Sequence, residues 1–356
     1  MDLHILGWTE EFQSSFESTG LSSALPARVA RQDKQRYLLL CEHGELTGHI
    51  TGKMRHQSAD DEDLPAVGDW VAIEPRLSEL SATIVAVLPR RSAFRRSVPD
   101  TRKGPARAQV LAANIDTVFL VSGLDSNFSP RRIERFVLLA WESGATPVIV
   151  LNKSDLCDDI DAAVGQTRAV AVGVDIHAVS AAHRDGLEQL RPYCSVGKTV
   201  AFLGSSGVGK STLINSLLGE ERLKTTDTRA VDGKGRHTTT SRELVLLPDG
   251  GILIDTPGMR GLQLWSDGSG VEATFGDIEE FAARCRFRDC RHSTEPGCAV
   301  QAALENGELS PDRFESWRKL QREIQFQMRR QDISAALAEK ARWKKIARKI
   351  RDLYRD

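Results

Sequence analysis

A chain of 356 residues is too long for one hydrophobic core of ordinary size, so two or three domains are expected. Its 40% hydrophobic and 27% charged residues exclude a disordered or fibrous chain, and no apolar run approaches the ~18 residues of a membrane span. Met1–Phe12 lacks a basic stretch followed by an apolar one, so no secretory leader is expected, and six cysteines then suggest a reducing, cytoplasmic setting with free thiols or metal.

Residues 1–24 read as an N-terminal extension, weakly ordered or briefly helical. Residues 25–89 hold five short β-rich runs, Ala27–Arg31, Arg36–Cys41, Glu45–Thr51, Asp69–Ile73 and Ala82–Leu88, punctuated by glycines. Five short strands in so little chain predict a small barrel of the OB-fold kind, and an SH3-like barrel would read similarly. Ser58–Asp63 is an acidic loop whose simplest role is solubility. Residues 90–107 read as a basic, proline-containing extended linker.

The pattern then changes. Between residues 108 and 266, continuous apolar runs such as Thr117–Ser122 and Thr146–Leu151 alternate with helical segments such as Pro130–Ser143. That rhythm predicts an α/β domain with a mainly parallel sheet. Residues 267–356 read as helical, interrupted by a cysteine and histidine cluster. The net charge of −1 is segregated: residues 89–107 carry +6 and residues 313–356 carry +8, leaving −15 on the rest. Two basic blocks on an acidic body suit a polyanionic partner. A solvated helix face and a flexible linker would produce the same counts.

Three strings carry the chemistry: Asn152-Lys153-Ser154-Asp155, then Gly204-Ser205-Ser206-Gly207-Val208-Gly209-Lys210-Ser211, then Asp255-Thr256-Pro257-Gly258. The second lies between an apolar strand and a helix, the context of a phosphate loop. Its glycines let backbone N–H groups converge on phosphate, and the helix start adds partial positive charge. Lys210 can reach the β and γ phosphates, Ser211 suits Mg²⁺, and Thr212 can contact the α phosphate. Asp255 can hold Mg²⁺ through a water, and Gly258 offers an N–H to the γ phosphate.

Asp155 can accept from guanine N1–H and the exocyclic amine, a pairing that adenine cannot match. Asn152 can donate to the base and tie loops together, and the Lys153 stem can lie along the ring. Ser180-Ala181, after the next strand, fits a loop offering a backbone N–H to guanine O6. In Gly235-Arg236-His237-Thr238-Thr239-Thr240, either Thr239 or Thr240 could supply a second Mg²⁺ ligand. A glutamine often follows DxxG to orient the attacking water, but here Met259 stands there. His237 is the best internal candidate for that catalytic role; contact with phosphate, RNA or its own loop is the competing reading. The three strings are complete but rotated: ordinary GTPases place the phosphate loop first and NKxD last. The order therefore points to a circular permutation.

Cys285, Cys290, His292 and Cys298 have the spacing C-x4-C-x-H-x5-C. Four such ligands suit a tetrahedral structural zinc, in a loop with little apolar content of its own. Incidental thiols or a redox pair would be the alternative. Cys41, Cys157 and Cys194 are scattered and read as packing residues.

Barrel, permuted nucleotide motifs, the GRHTTT string and the Cys₃His run together resemble the circularly permuted small-ribosomal-subunit biogenesis GTPases (the RsgA, YjeQ or EngC family), over about residues 27–330. The resemblance implies a GTPase acting in late maturation of the 30S small ribosomal subunit, binding its rRNA and stimulated by the subunit. It implies GTP or GDP with Mg²⁺ and one structural Zn²⁺, and it puts the family's proposed catalytic histidine on His237. A monomer with no membrane partner is expected. Two other readings stay open: a guanine-nucleotide-responsive RNA-binding module in which hydrolysis is incidental, and a GTPase serving another structured RNA.

Overall fold

The computed structural model describes residues 1–33, 36–57, 61–98, 107–222, 242–255 and 269–326. The chain divides into two compact units, Met1–Arg95 with Val110–Leu262, and Arg96–Gln109 with Gln263–Asp356.

In the first unit the opening segment is packed. Helix α1 (Glu10–Glu17) starts with Glu10 and Glu11, whose charge complements the helix N-terminus. Phe12 and the preceding Trp8 are buried, and the Trp8 and Trp70 rings meet edge to face at 4.6 Å between centroids. Next comes the barrel: β1 (Leu25–Asp33), β2 (Arg36–Cys41), β3 (Gly44–Ile50), α2 (Gly52–Gln57), β4 (Trp70–Arg76) and β5 (Ser81–Val87). Its strands close in the order β1-β2-β3-β5-β4-β1, with β3 and β5 parallel. That crossed closure separates an OB-like barrel from a simple up-and-down one. Alternation along β1 sends Ala27 and Val29 into the barrel core, with Leu39, Leu46, Ile73 and Ile84.

The same alternation turns Arg28 outward, yet it is only 1% exposed. Its guanidinium donates to Gly68 O (3.3 Å), Asn114 O (3.2 Å), Thr199 Oγ1 (2.8 Å) and the carbonyl of Leu6. Burial pulls its pKa down to about 10, against the raising effect of Asp116. The sequence reading missed this residue altogether.

Strands β6 (Ala93–Val98) and β7 (Arg107–Ala113) pair as a two-stranded ribbon, so the range read as an extended linker contains β structure. Four of its arginines have internal partners. Arg90 forks onto buried Asp69 at 2.8 and 2.7 Å and also donates to Glu62 O and Leu64 O. Arg91 lies over the Phe12 ring, Arg95 pairs with Glu62, and Arg96 donates to Gln109. Part of the basic block is thus committed to holding the fold.

The α/β portion follows: β8 (Thr117–Gly123), α3 (Pro130–Ser143), β9 (Thr146–Asn152), α4 (Ile160–Val170), β10 (Asp175–Val179), β11 (Thr199–Gly204), α5 (Lys210–Leu218), β12 (Glu243–Leu246) and β13 (Ile252–Asp255). Proline at the first turn and Gly144 at the C-cap bound α3 where the sequence predicts it. Across the sheet the order is β10-β9-β8-β11-β13-β12, all parallel except β12. Phe119 and Phe202 cross edge to face in its core, at 5.5 Å. Antiparallel pairing of Arg31 with Glu243 then joins β12 to β1, so barrel and α/β domain share one eleven-stranded sheet.

The described part of the second unit's C-terminal segment is helical: α6 (Ser269–Thr274), α7 (Gly276–Ala282), α8 (Ala299–Glu305) and α9 (311–326). Arg313 on α9 forks onto Asp277 on α7 and donates to Thr274 O. Among the described residues no helix is long and apolar enough to cross a membrane.

Candidate functional site

The sheet order reverses direction between β8 and β11: the chain moves outward from β8 to β10, then returns to β11. In open parallel sheets ligands bind outside the carboxyl ends of strands at such a point. Predicted nucleotide-site residues among the described ones lie there. Asn152 ends β9, Ser180 follows β10, Gly204 ends β11 and Asp255 ends β13.

Apolar anchoring fixes the Gly204–Lys210 turn, because the Val208 side chain is buried in the domain core. Gly209 opens α5 at φ +92°, and a Cβ there would stand 2.3 Å from Asn152 Nδ2. Only glycine allows that approach. Lys210 Nζ donates to Gly204 O (2.8 Å) and Ser205 O (2.6 Å), folding back over its own loop. Ser206 and Gly207 lie in the turn, and Ser211 and Thr212 in the first turn of α5.

Asn152 is buried and bonds in two directions. Its amide N–H donates to Val208 O (2.8 Å), and its Oδ1 accepts from Ala181 N–H (3.0 Å). Lys153, at φ +65°, extends its ammonium to Gly207 O (2.6 Å) and Asp125 Oδ2 (2.7 Å). Ser154 opens a short 3₁₀ turn that carries Asp155. The Ser180 hydroxyl donates to Asp155 Oδ1, and His183 Nδ1 stands 3.7 Å from the other oxygen. The Ser180 bond is the largest cause holding the Asp155 carboxyl below its ordinary range. Ser216 on α5 donates to Ala181 O (2.9 Å). The three loops are thus cross-braced into one cleft edge.

Two members of this edge were not foreseen. Burial acts to raise the Asp125 carboxyl, but the Lys153 ammonium and the hydrogen bonds from Asn127 together leave its pKa low. Arg132, early in α3, donates to the Ser205 hydroxyl (3.2 Å). The signal for Asp125 was a carboxylate two residues past an apolar strand; nothing local marked its partner 28 positions away. His237, Thr239, Thr240 and Gly258 lie outside the described residues.

Asp255 suits a cation. Burial pushes its carboxyl upward, Glu243 adds to that, and Lys210 opposes it. A divalent ion would relieve such a carboxylate, and the Ser211 hydroxyl at the start of α5 is a hard oxygen of the type Mg²⁺ takes.

In the second unit, Cys285, Cys290, His292 and Cys298 bring their ligand atoms within 4.8 Å of one another. Cys285 Sγ is 3.8 Å from Cys298 Sγ, and His292 Nδ1 is 3.5 Å from each. Tetrahedral zinc, with Zn–S ~2.3 Å and Zn–N ~2.0 Å, requires separations of ~3.8 Å and ~3.5 Å. The donor set therefore fits zinc in both chemistry and spacing. Burial lowers the His292 imidazole, favouring the neutral form that ligates. Gln301 Nε2 holds the His292 carbonyl at 2.6 Å, and Trp317 lies against the ring. Cys41 and Cys194 are buried and Cys157 half-buried, all as free thiols.

Comparison with known proteins agrees with this arrangement. The model of the RsgA GTPase family matches residues 87–265. The small ribosomal subunit biogenesis GTPase RsgA of Opitutus terrae is 49% identical, over 97% of this chain and 96% of its own length. The crystal structure of YjeQ from Thermotoga maritima is similar with a TM-score of 0.62 and 30% identity, covering 83% of this chain and 97% of that one. YloQ, described as a circularly permuted GTPase, shares the fold with a TM-score of 0.60 and 24% identity, over 87% of this chain and 96% of its own. The chain belongs to the RsgA family of circularly permuted GTPases, and its activity is the hydrolysis of GTP.

Proposed function

We propose that this protein couples GTP hydrolysis to late maturation of the small ribosomal subunit in the cytoplasm, as a monomer that grips subunit rRNA. The name of the relatives supports the client, and the braced cleft edge around Asn152 supports the nucleotide. Asp155, oriented by Ser180, reads the guanine edge, and Lys153 and Asn152 frame it. Lys210 exchanges its loop carbonyls for the β and γ phosphate oxygens, while the backbone of Gly204–Gly209 and the start of α5 face the phosphates. Ser211 and Asp255, with Thr239 or Thr240, would hold Mg²⁺, which would supply charge neutralisation at the transferring phosphoryl group. His237 positions or deprotonates the attacking water, a task for which Met259 has no suitable group. Gly258 contacts the γ phosphate and releases it on hydrolysis. Cys285, Cys290, His292 and Cys298 hold one structural zinc that braces the C-terminal RNA-gripping part.

The observation that carries this reading is the single amide of Asn152, which ties the NKSD, Ser180-Ala181 and glycine-rich loops together. Turnover of GTP is measured alone, with small subunits, with large subunits and with free RNA. Mature small subunits are expected to accelerate it at least ~10-fold, as partners that order a GTPase site do. An unchanged rate with small subunits would refute the coupling.

A further inference from the structure

We propose that Phe287 is a stacking platform for an unpaired ribonucleotide base, presented on the turn between Cys285 and Cys290. The inference rests on the reading above that the protein grips rRNA.

Among the described residues Phe287 is one of ten large apolar side chains left open, at 42% exposure. It is not loose. Cys290 N–H donates to Phe287 O (3.4 Å), closing a four-residue turn between two residues of the Cys₃His cluster. Arg286 N–H donates to Gly297 O (3.1 Å), and the Arg286 stem packs so closely on Gly297 that a Cβ there would meet it at 3.2 Å. So placed, the Arg286 guanidinium carbon sits 5.5 Å from the Phe287 ring centroid. One face of the ring is backed by a cation, and the side chain remains open to solvent.

The surroundings select the occupant. Residues 284–291 carry Arg284, Arg286, Arg288 and Arg291 against Asp289 alone, a net of +3. The nearby Glu295 carboxylate is occupied by the N–H groups of Arg291, Ser293 and Thr294. An apolar ring among exposed arginines suits a ligand that is aromatic and anionic together. A nucleotide in a single strand offers a π-face to the ring and a phosphate to the arginines. Base-paired RNA hides that face within its stack, so unpaired nucleotides are the target.

The test uses the full chain with Phe287→Ala, Phe287→Leu and Phe287→Trp, each checked for metal content. Binding is measured to purified small subunits, to a single-stranded oligoribonucleotide and to a duplex of equal length. Phe287→Ala should weaken binding to subunits and single strand about 5- to 100-fold, the usual effect of losing one stacked base. Phe287→Trp should retain binding and show indole quenching by the single strand beyond that of the parent protein. Wild-type affinity in Phe287→Ala, for the strand and the subunit alike, overturns the platform. Full affinity in Phe287→Leu also overturns it and assigns the patch to a protein contact. Failure of the unaltered protein to bind subunits sinks the ribosomal reading, while the oligonucleotide measurements still decide the platform.

Discussion

One side-chain amide, that of Asn152, links three loops brought together from positions as far as 56 residues apart. Next to it, the Ser180 hydroxyl is the largest cause that lowers the Asp155 carboxyl pKa. A carboxylate whose folded pKa is depressed contributes stability above its unfolded value and loses it as pH falls through the folded one. Ser180→Ala removes the largest cause of that depression, so the loss moves to higher pH. Guanine-nucleotide affinity of this variant should therefore fall earlier on acidification than that of the parent, in titrations carried from about pH 5 down to about pH 3, through the ordinary aspartate range and below it. Coinciding acid midpoints would mean that Ser180 does not set the Asp155 charge. At this scale the motif residues were legible because backbone geometry and ligand chemistry restrict them to a few residue types. Asp125 and Arg132 were not, since their roles come from partners distant in sequence.

Elements with strong periodicity or clear caps were legible at nearly their observed bounds, as α3 and the five barrel strands show. Strand β6 was hidden because Arg95 and Arg96 occupy it inside a proline-flanked basic stretch, where charge counts as evidence for linker. Strand β12 was hidden by its four-residue length. The knuckle between α7 and α8 was legible through ligand spacing alone, and that has an energetic meaning: with so few apolar residues, a bound metal would supply its stability. Chelation of the metal should abolish the ordered environment of Trp317, which lies 5.6 Å from His292, and shift its emission. Elemental analysis should return one zinc per chain before chelation and none after. Unchanged tryptophan emission on complete metal loss would argue against a structural role.

The first unit is held as a whole by a group that no local pattern announces. Arg28 reaches from the barrel to the opening segment, through Leu6, and to the α/β sheet, through Asn114 and Thr199. Arg28→Met leaves those buried acceptors without their cationic donor. Hydrogen bonds to a charged group contribute about 1.5–3 kcal/mol, and this variant should lose about that amount, seen as a lower urea midpoint. A midpoint within experimental error of the parent would show that the three parts are not joined through this residue. The polyanion footprint is also narrower than charge counts imply, because Arg90, Arg91, Arg95 and Arg96 already serve the fold.

The ladder that joins β1 to β12 has a mechanical corollary. Glu243 is opposite Arg31 on one side and opposite Asp255 on the other. Its carboxylate is also within 3.7 Å of the Arg31 guanidinium and 3.4 Å of Arg222. The barrel is therefore not a bead on a tether but is joined through the sheet to the strand beside Asp255. A tug on it by a docked partner would bear on the strand end where the proposed phosphate site lies.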